Sequence, residues 1–402
     1  MKRSTVVLIV LCSVLSLLLG SFAIAADKAV KGGVQVLKIG AIVSLTGPIA
    51  AGMQDIKDAM GPTEEYFNSK GGIMVNGQRY HIKIIAQDDQ SSPQGALAAA
   101  NKLISKDGVK FMIAPPSPQA NMAIAPICEK AKVVRIRIQG VGGTNEINSK
   151  LRYSFASYQN LYNAPFIYDY LLKNYPHVKK VATVTVDDPG GHVGSEFSEK
   201  AAKAHGLELV AREFYPFDTQ DFYPIMTKVL DKKPDALDIN IGMLQWGVSL
   251  TNQARELGFK GPIFGMSPFG DINSMNDLLH ASAATDIILP TADFTSPKMP
   301  PAAKTIAALV QKKLGHRCQL DNTTPIETLI PLLQAIEKAQ SFDPDKVVDT
   351  WEKMTEIDTI FGKGRMGGMD YFGINHVVIR PVPLSRIMNG KVETVGFFEK
   401  KD

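Results

Sequence analysis

Gly362, Gly364 and Gly367 in GKGRMGG stand at the G-x-G-x-x-G spacing that lets backbone N–H groups cradle a pyrophosphate at a helix start. That chemistry needs a strand before the glycines and a helix after them. A glycine-rich loop follows here, so the segment reads as a flexible connection. Two pairs of adjacent carboxylates, Asp88-Asp89 and Asp187-Asp188, close apolar runs and fit turn capping better than acid–base work. Arg135 and Arg137 alternate with Ile136 and Ile138 in a stretch expected to be covered on both faces, where a guanidinium needs a partner. Either a carboxylate pairs with it as structure, or Arg137 reaches a cleft and attracts an acid. G-x-S-x-G, H-E-x-x-H, C-x-x-C and P-loop patterns do not occur, and the seven histidines lack metal-ligand spacing. The expectation is a protein without enzymatic activity, metal or cofactor.

With 45% hydrophobic and 21% charged residues in 402, the composition is that of a soluble chain long enough for two lobes. The formal charge of +4 includes Lys2 and Arg3, too balanced to imply nucleic acid or an acidic membrane as the main partner. Residues 1–25 read as a secretory signal: the two basic residues, an apolar core from about Val6 to Leu19, and Ala23-Ile24-Ala25 as the cleavage site, with cleavage after Ala25. Export to the periplasm follows. The two cysteines beyond that segment, Cys128 and Cys318, make no disulfide scaffold; buried free thiols are the simpler reading, and pairing stays open.

These residues must be positioned by alternating strands and helices. From Lys70 to Pro116 the chain shows the unit in full: Gly71-Gly72 ends a helix and Asn76-Gly77 turns. A strand then runs over Tyr80–Gln87, and Ser92-Pro93 opens a helix to about Ser105. The apolar run Val109–Ala114 ends in Pro115-Pro116, where open α/β sheets bind small molecules. Flanking it are a strand at Val36–Val43, a helix over Ala50–Asn68 with a kink or a break expected at Gly61-Pro62, a helix Gln119–Lys130 and a strand Val133–Ile138.

The pattern restarts after Gln159. Helices are expected at Leu161–Lys173, Ser195–His205, Asp221–Leu230 (capped by Thr219) and Trp246–Leu257. Strands alternate with them at Val181–Val186, Leu207–Phe214, Ala236–Ile241, Pro262–Gly265 and Asp286–Leu289. A Pro-, Ser- and Thr-rich linker and three helices follow, then a loop-rich tail from Ile360 with a β-prone run at His376–Pro381 and a turn at Asn389-Gly390.

Taken in order, LKIGAIVSLTGPIA (Leu37–Ala50), NSKGGIMVNGQ, QDDQSSPQGALAAANKLI, GGTNEI (Gly142–Ile147), DTQDF and TNQARELGF (Thr251–Phe259) resemble the type I periplasmic solute-binding proteins of the branched-chain amino acid ABC-importer family. The resemblance implies an α/β fold of two doubly wound parallel-sheet lobes joined by three hinge crossovers that close over a ligand. Carried over, residues 36–157 and 290–361 form the N-terminal lobe, and residues 158–289 and 362–402 the C-terminal lobe. It further implies a small-molecule solute and an inner-membrane ABC permease with its ATPase subunits as partners, and a monomer that binds no nucleic acid.

The same resemblance proposes a site. Ser117 and Gln119 stand near the family's first-lobe serine, and Gly142, Gly143 and Thr144 match its carboxylate-holding element. In the second lobe His192 and Val193 fall at one family tyrosine and Met243 at another, with Trp246 and Phe269 lining the same side. The acid that pairs with a ligand ammonium is replaced near Ser267, although Asp271 in the same loop could supply it. Gly52 replaces an aromatic at the side-chain pocket, and serines 91 and 117 replace the family's paired cysteines. The expected ligand is a carboxylate or neutral amide with an aromatic or aliphatic body. An exported sensor on this fold is the alternative, and a hydrolase using Ser117 or Asp188 is a weaker one.

Overall fold

A computed structural model describes residues 34–240, 242–267 and 270–400. The expected signal segment therefore lies outside the described residues, as does Phe269. Sixteen strands are assigned: β1 (Gln35–Val43), β2 (Ile73–Val75), β3 (Gln78–Asp88), β4 (Phe111–Ile113), β5 (Val134–Arg137), β6 (Ser154–Ala156), β7 (Lys180–Val186), β8 (Glu208–Tyr215), β9 (Ala236–Asn240), β10 (Ile263–Phe264), β11 (Ile287–Leu289), β12 (Ile357–Thr359), β13 (Gly362–Gly367), β14 (Val377–Ile379), β15 (Val382–Met388) and β16 (Lys391–Phe398). They form two sheets, ordered β12-β13-β14-β6-β5-β4-β1-β3-β2 and β16-β15-β11-β10-β9-β7-β8. The strands at the centre of each run parallel; antiparallel strands finish both edges of the first sheet and the β16 edge of the second, whose other edge, β8, is parallel to β7.

Both faces of each sheet are covered, which is why the central strands are apolar on both sides. Ile39, Ala41 and Val43 of β1 pack toward helices Ala50–Asp58, Leu320–Ala339 and Pro344–Trp351, whereas Ile42 faces the other way, toward helices Pro93–Ser105 and Pro118–Ala131. In the second sheet Ala182, Val184, Leu237 and Ile239 pack on helices Tyr223–Leu230 and Leu244–Glu256. Their alternates include Thr183, Thr185, Asp238 and Asn240, a buried polar row.

Local signals explain most boundaries. Ser92 accepts from Gly95 N–H at 3.0 Å with Pro93 in the first turn. The first helix breaks at Ala59, so that Gly61-Pro62 falls in the opening turn of Met60–Asn68, where the missing proline N–H has no intrahelical partner to lose. Three expectations need correction. Thr219 is not a cap: the helix starts at Tyr223 after Phe222, with no side-chain cap. The helix expected from Ser195 begins at Pro189, because Asp188 caps it by accepting from Gly191 N–H at 2.6 Å. The tail is not loop-rich.

GKGRMG is strand β13, and its glycines serve close strand approach: a Cβ on Gly364 would lie 2.5 Å from the Ile379 carbonyl, and one on Gly367 2.6 Å from Ile379 Cγ1. Strands β13 and β14 complete the first sheet and β15 and β16 the second. The third crossover is consequently at Arg380-Pro381 rather than near Gly362, and the first lobe extends to Ile379.

Candidate functional site

A chain that starts each sheet near its middle and winds outward both ways leaves a switch point between two strand tips, and ligands of open α/β sheets bind beyond such tips. In the first sheet β1 lies between β3 and β4, and in the second β7 lies between β8 and β9. At the β1/β4 switch point the tips are apolar. Val43, Met53, Ile56, Ile113, Pro116 and Ile138 line a shallow, nearly filled apolar dimple with about 10 Å³ of free room. At the β7/β9 switch point the tips are polar, carrying Asp187-Asp188 and Asn240.

The two lobes meet where the loop after β5 reaches the helix that follows β7. A Cβ on Gly143 would stand 3.5 Å from Val193 Cγ2, and one on Gly190 3.2 Å from the Val141 carbonyl. The loop after β5 thus lies against the first turn of helix Pro189–Ala204. Its shape comes from buried ionic contacts. Arg137 Nε donates to Glu146 Oε2 at 2.8 Å, and its Nη2 to the Val141 carbonyl at 3.0 Å. Asn121 Nδ2 donates to the same carboxylate oxygen at 2.6 Å. Arg135 bonds Asn121 Oδ1 and the Glu146 carbonyl. Of the two roles open to it, Arg137 takes that of pairing with a carboxylate, while Arg135 is bonded to neutral oxygens. Gly142 is required within this knot, since a Cβ there would be 2.7 Å from Glu146 Oε1 and 2.9 Å from Arg137 Nε.

A polar chain runs through the crossovers beneath the loop. Gly142 N–H donates to Gln159 Oε1 at 2.8 Å, Asn160 Nδ2 to Ser267 Oγ at 2.8 Å, and Asn163 Nδ2 to the Met266 carbonyl at 2.8 Å. Gln139 joins Asn160 to Arg380, which pairs with Glu327 at 2.6 Å. Burial pushes the Asp188 carboxyl above its usual range, opposed by the Gly191 N–H and the Arg137 charge.

Each expected site residue can now be located. Ser117 caps helix Pro118–Ala131, accepting from Ala120 N–H at 3.4 Å and donating to Gln119 Oε1 at 2.9 Å. Gly142, Gly143 and Thr144 come together with Val193 across the lobes, and Thr144 is exposed. His192 is turned toward the sheet edge, stacked on Phe214 and bonded to Asp187 at 2.8 Å. Met243 precedes helix Leu244–Glu256, and Trp246 is a core residue, edge-on to Tyr215 and Phe217. Ser267 is buried in the hinge contact with Asn160. Asp271 does not replace the lost acid, because its carboxylate accepts from Asn273 N–H, Ser274 Oγ and Arg317. Gly52 is exposed with open space around it. Cys128 and Cys318 are buried and unpaired, and burial pushes the Cys128 thiol up to about 12.

Asn240 and Gln159 escaped the sequence reading. The signal for Asn240 was present: Asp238 and Asn240 alternate in an apolar strand covered on both faces, the same anomaly that singled out Arg135 and Arg137.

Residues 36–391 match the sequence profile of the periplasmic binding proteins. Among characterised relatives, the chain is similar to the Leu/Ile/Val-binding protein BraC3 of Rhizobium johnstonii, with 25% identity over 82% of this chain and 87% of that one. Among solved structures it resembles the leucine-binding protein LivK of Thermotoga maritima (TM-score 0.73, 22% identity, 90% of this chain and 99% of that one). It also resembles a solute-binding protein of an ABC transporter from Rhodopseudomonas palustris, solved with 3,4-dihydroxy benzoic acid (TM-score 0.74, 23% identity, 91% and 98%).

Proposed function

The chain belongs to the periplasmic binding protein family, as a solute-binding component of an ABC importer, and on that premise we propose that it captures a small carboxylate or amide with an apolar body. The observation that carries this reading is the meeting of the lobes, with loop Val141–Thr144 against Gly190 and Val193, beside apolar strand tips in the first lobe and a polar strand tip in the second. The solute's body packs against the apolar first-lobe tips and its polar end lies between the lobes. Gly142, Gly143 and Thr144 on one side and Val193 on the other enclose it. Affinity comes from surrounding the ligand, and no bond is made or broken.

A standard α-amino acid is disfavoured. The resemblance aligns Ser267 with the acid that pairs with an ammonium; Ser267 is bonded to Asn160, and Asp271 is engaged with Arg317. A buried ammonium without a partner costs several kcal/mol, enough to remove most of the ~8 kcal/mol of a micromolar complex. The loaded protein acts in the periplasm as a monomer and delivers its solute to an inner-membrane ABC permease powered by ATPase subunits. Native mass spectrometry of the purified protein tests capture: a stoichiometric, unmodified small molecule is expected. Titration calorimetry against leucine and against aromatic and aliphatic acids and amides tests the class, and tight leucine binding would refute it.

A further inference from the structure

Asn240 ends β9 at the second-lobe switch point and is 5% exposed, yet neither its side-chain oxygen nor its nitrogen has a hydrogen-bond partner. Leaving a buried donor or acceptor unpaired costs about 1–3 kcal/mol per group, so an amide held this way lacks something the fold does not supply. The surroundings are shaped to it. A Cβ on Gly194 would stand 2.7 Å from Asn240 Nδ2, so helix Pro189–Ala204 can lie over the amide only with glycine there. Thr185 Oγ1 donates to the Asn240 carbonyl at 3.3 Å, fixing the strand end. At the first crossover Gln159 repeats the pattern: its Oε1 takes the Gly142 N–H, while its buried Nε2 has no partner.

Charges near the tips are engaged elsewhere. Arg137 is paired with Glu146, and Asp271 with Arg317 and two helix-capping donors. Among the buried groups near the tips that lack a partner, Asn240 is an amide with both side-chain polar atoms free, beside the Ser44 and Ser157 hydroxyls, one Asp89 oxygen and the Gln159 nitrogen. A ligand carboxylate could accept from Asn240 Nδ2, but it would set its negative charge against Oδ1. A primary carboxamide answers both atoms, its carbonyl accepting from Nδ2 and its N–H donating to Oδ1. We propose that Asn240 is the polar anchor of the site and that the solute is a primary carboxamide whose apolar body lies against the apolar strand tips of the first lobe. Its amide reaches Asn240 when the first turn of helix Pro189–Ala204 draws away from loop Val141–Thr144. This rests on the solute-binding function proposed above and narrows its ligand to one class.

Calorimetry and thermal shift on the full chain with isovaleramide against isovalerate, and benzamide against benzoate, test it. At least one amide is expected to bind at least about tenfold more tightly than its matched acid. Asn240→Ala and the near-isosteric Asn240→Asp should each abolish that preference, with circular dichroism confirming that the variants fold. Equal or tighter binding of the acids, no binding by either amide, or unchanged amide affinity in both variants would overturn the assignment of Asn240. The solute-binding reading stands or falls separately, on whether the native mass spectrum carries a small molecule.

Discussion

Substituting Glu146→Ala should unfold the first lobe far more readily than its single missing side chain would imply. Glu146 is buried and is the only anion bonded to the Arg137 guanidinium among the described residues, at 2.8 Å, and both side chains are almost wholly shielded from water. The other Arg137 contacts are neutral carbonyls, Ile138 at 3.2 Å and Val141 at 3.0 Å, and Asn121 Nδ2 would lose its acceptor as well. Removing one partner of a buried pair leaves an uncompensated charge and costs about 3–5 kcal/mol, a large share of the 5–15 kcal/mol typical of a folded domain.

The chain offers a clean reporter of that loss. It has two tryptophans: Trp351 lies in the first-lobe core, stacked on Phe155 with ring centroids 4.3 Å apart, and Trp246 lies in the second. In a Trp246→Phe background, urea unfolding followed by Trp351 fluorescence should show the midpoint falling by about 1–2 M, for a denaturant slope of about 2–3 kcal/mol per M. The double variant Arg137→Met with Glu146→Leu should cost less than Glu146→Ala alone, since replacing both charges removes the buried ion. A Glu146→Ala loss below about 1 kcal/mol would refute the argument that this pair is what shapes the loop.

Asp238 is fully buried with the Tyr168 hydroxyl donating at 3.0 Å, and burial pushes its carboxyl up to about 6. The folded state thus favours the protonated form. This contribution is fully present below the unfolded value near 4 and is lost as pH rises through about 6, amounting to about 3 kcal/mol. Asp238→Asn should accordingly melt higher than wild type above pH 6 and lose that advantage near pH 4; a difference independent of pH would contradict this. Gly191→Ala would place a Cβ 2.0 Å from the Val186 carbonyl, a backbone clash that should lower stability by about 1–3 kcal/mol in thermal unfolding. Ser92→Ala removes the cap on Gly95 N–H and should cost about 1 kcal/mol in urea unfolding.

What could be read before any coordinates was what depends on neighbours in the chain. Ser92-Pro93 announced its helix because capping and the missing proline N–H act within one turn. The apolar runs announced a covered parallel sheet because burial on both faces forbids alternation. Asp188 was recognised as a turn-capping carboxylate, but Pro189-Gly190-Gly191 looked like loop, and the helix it starts was drawn too short. The glycines of β13 imitated a phosphate loop, because spacing alone cannot tell a glycine that cradles a ligand from one that lets Ile379 approach.

The sequence by itself determined the alternation of strands and helices and its restart after Gln159, consequences of local propensity and of hydrophobic period, while the doubly wound lobes were implied by the family resemblance. The tertiary structure alone decided which hydrogen-bonding groups remain free where the lobes meet. Arg137, Asp271 and Ser267 are satisfied by Glu146, Arg317 and Asn160, partners distant in the chain, while Asn240 and the Gln159 nitrogen are not. A side chain's availability depends on what the fold brings within about 3 Å of it, and that distance is set by packing between segments that no local pattern encodes.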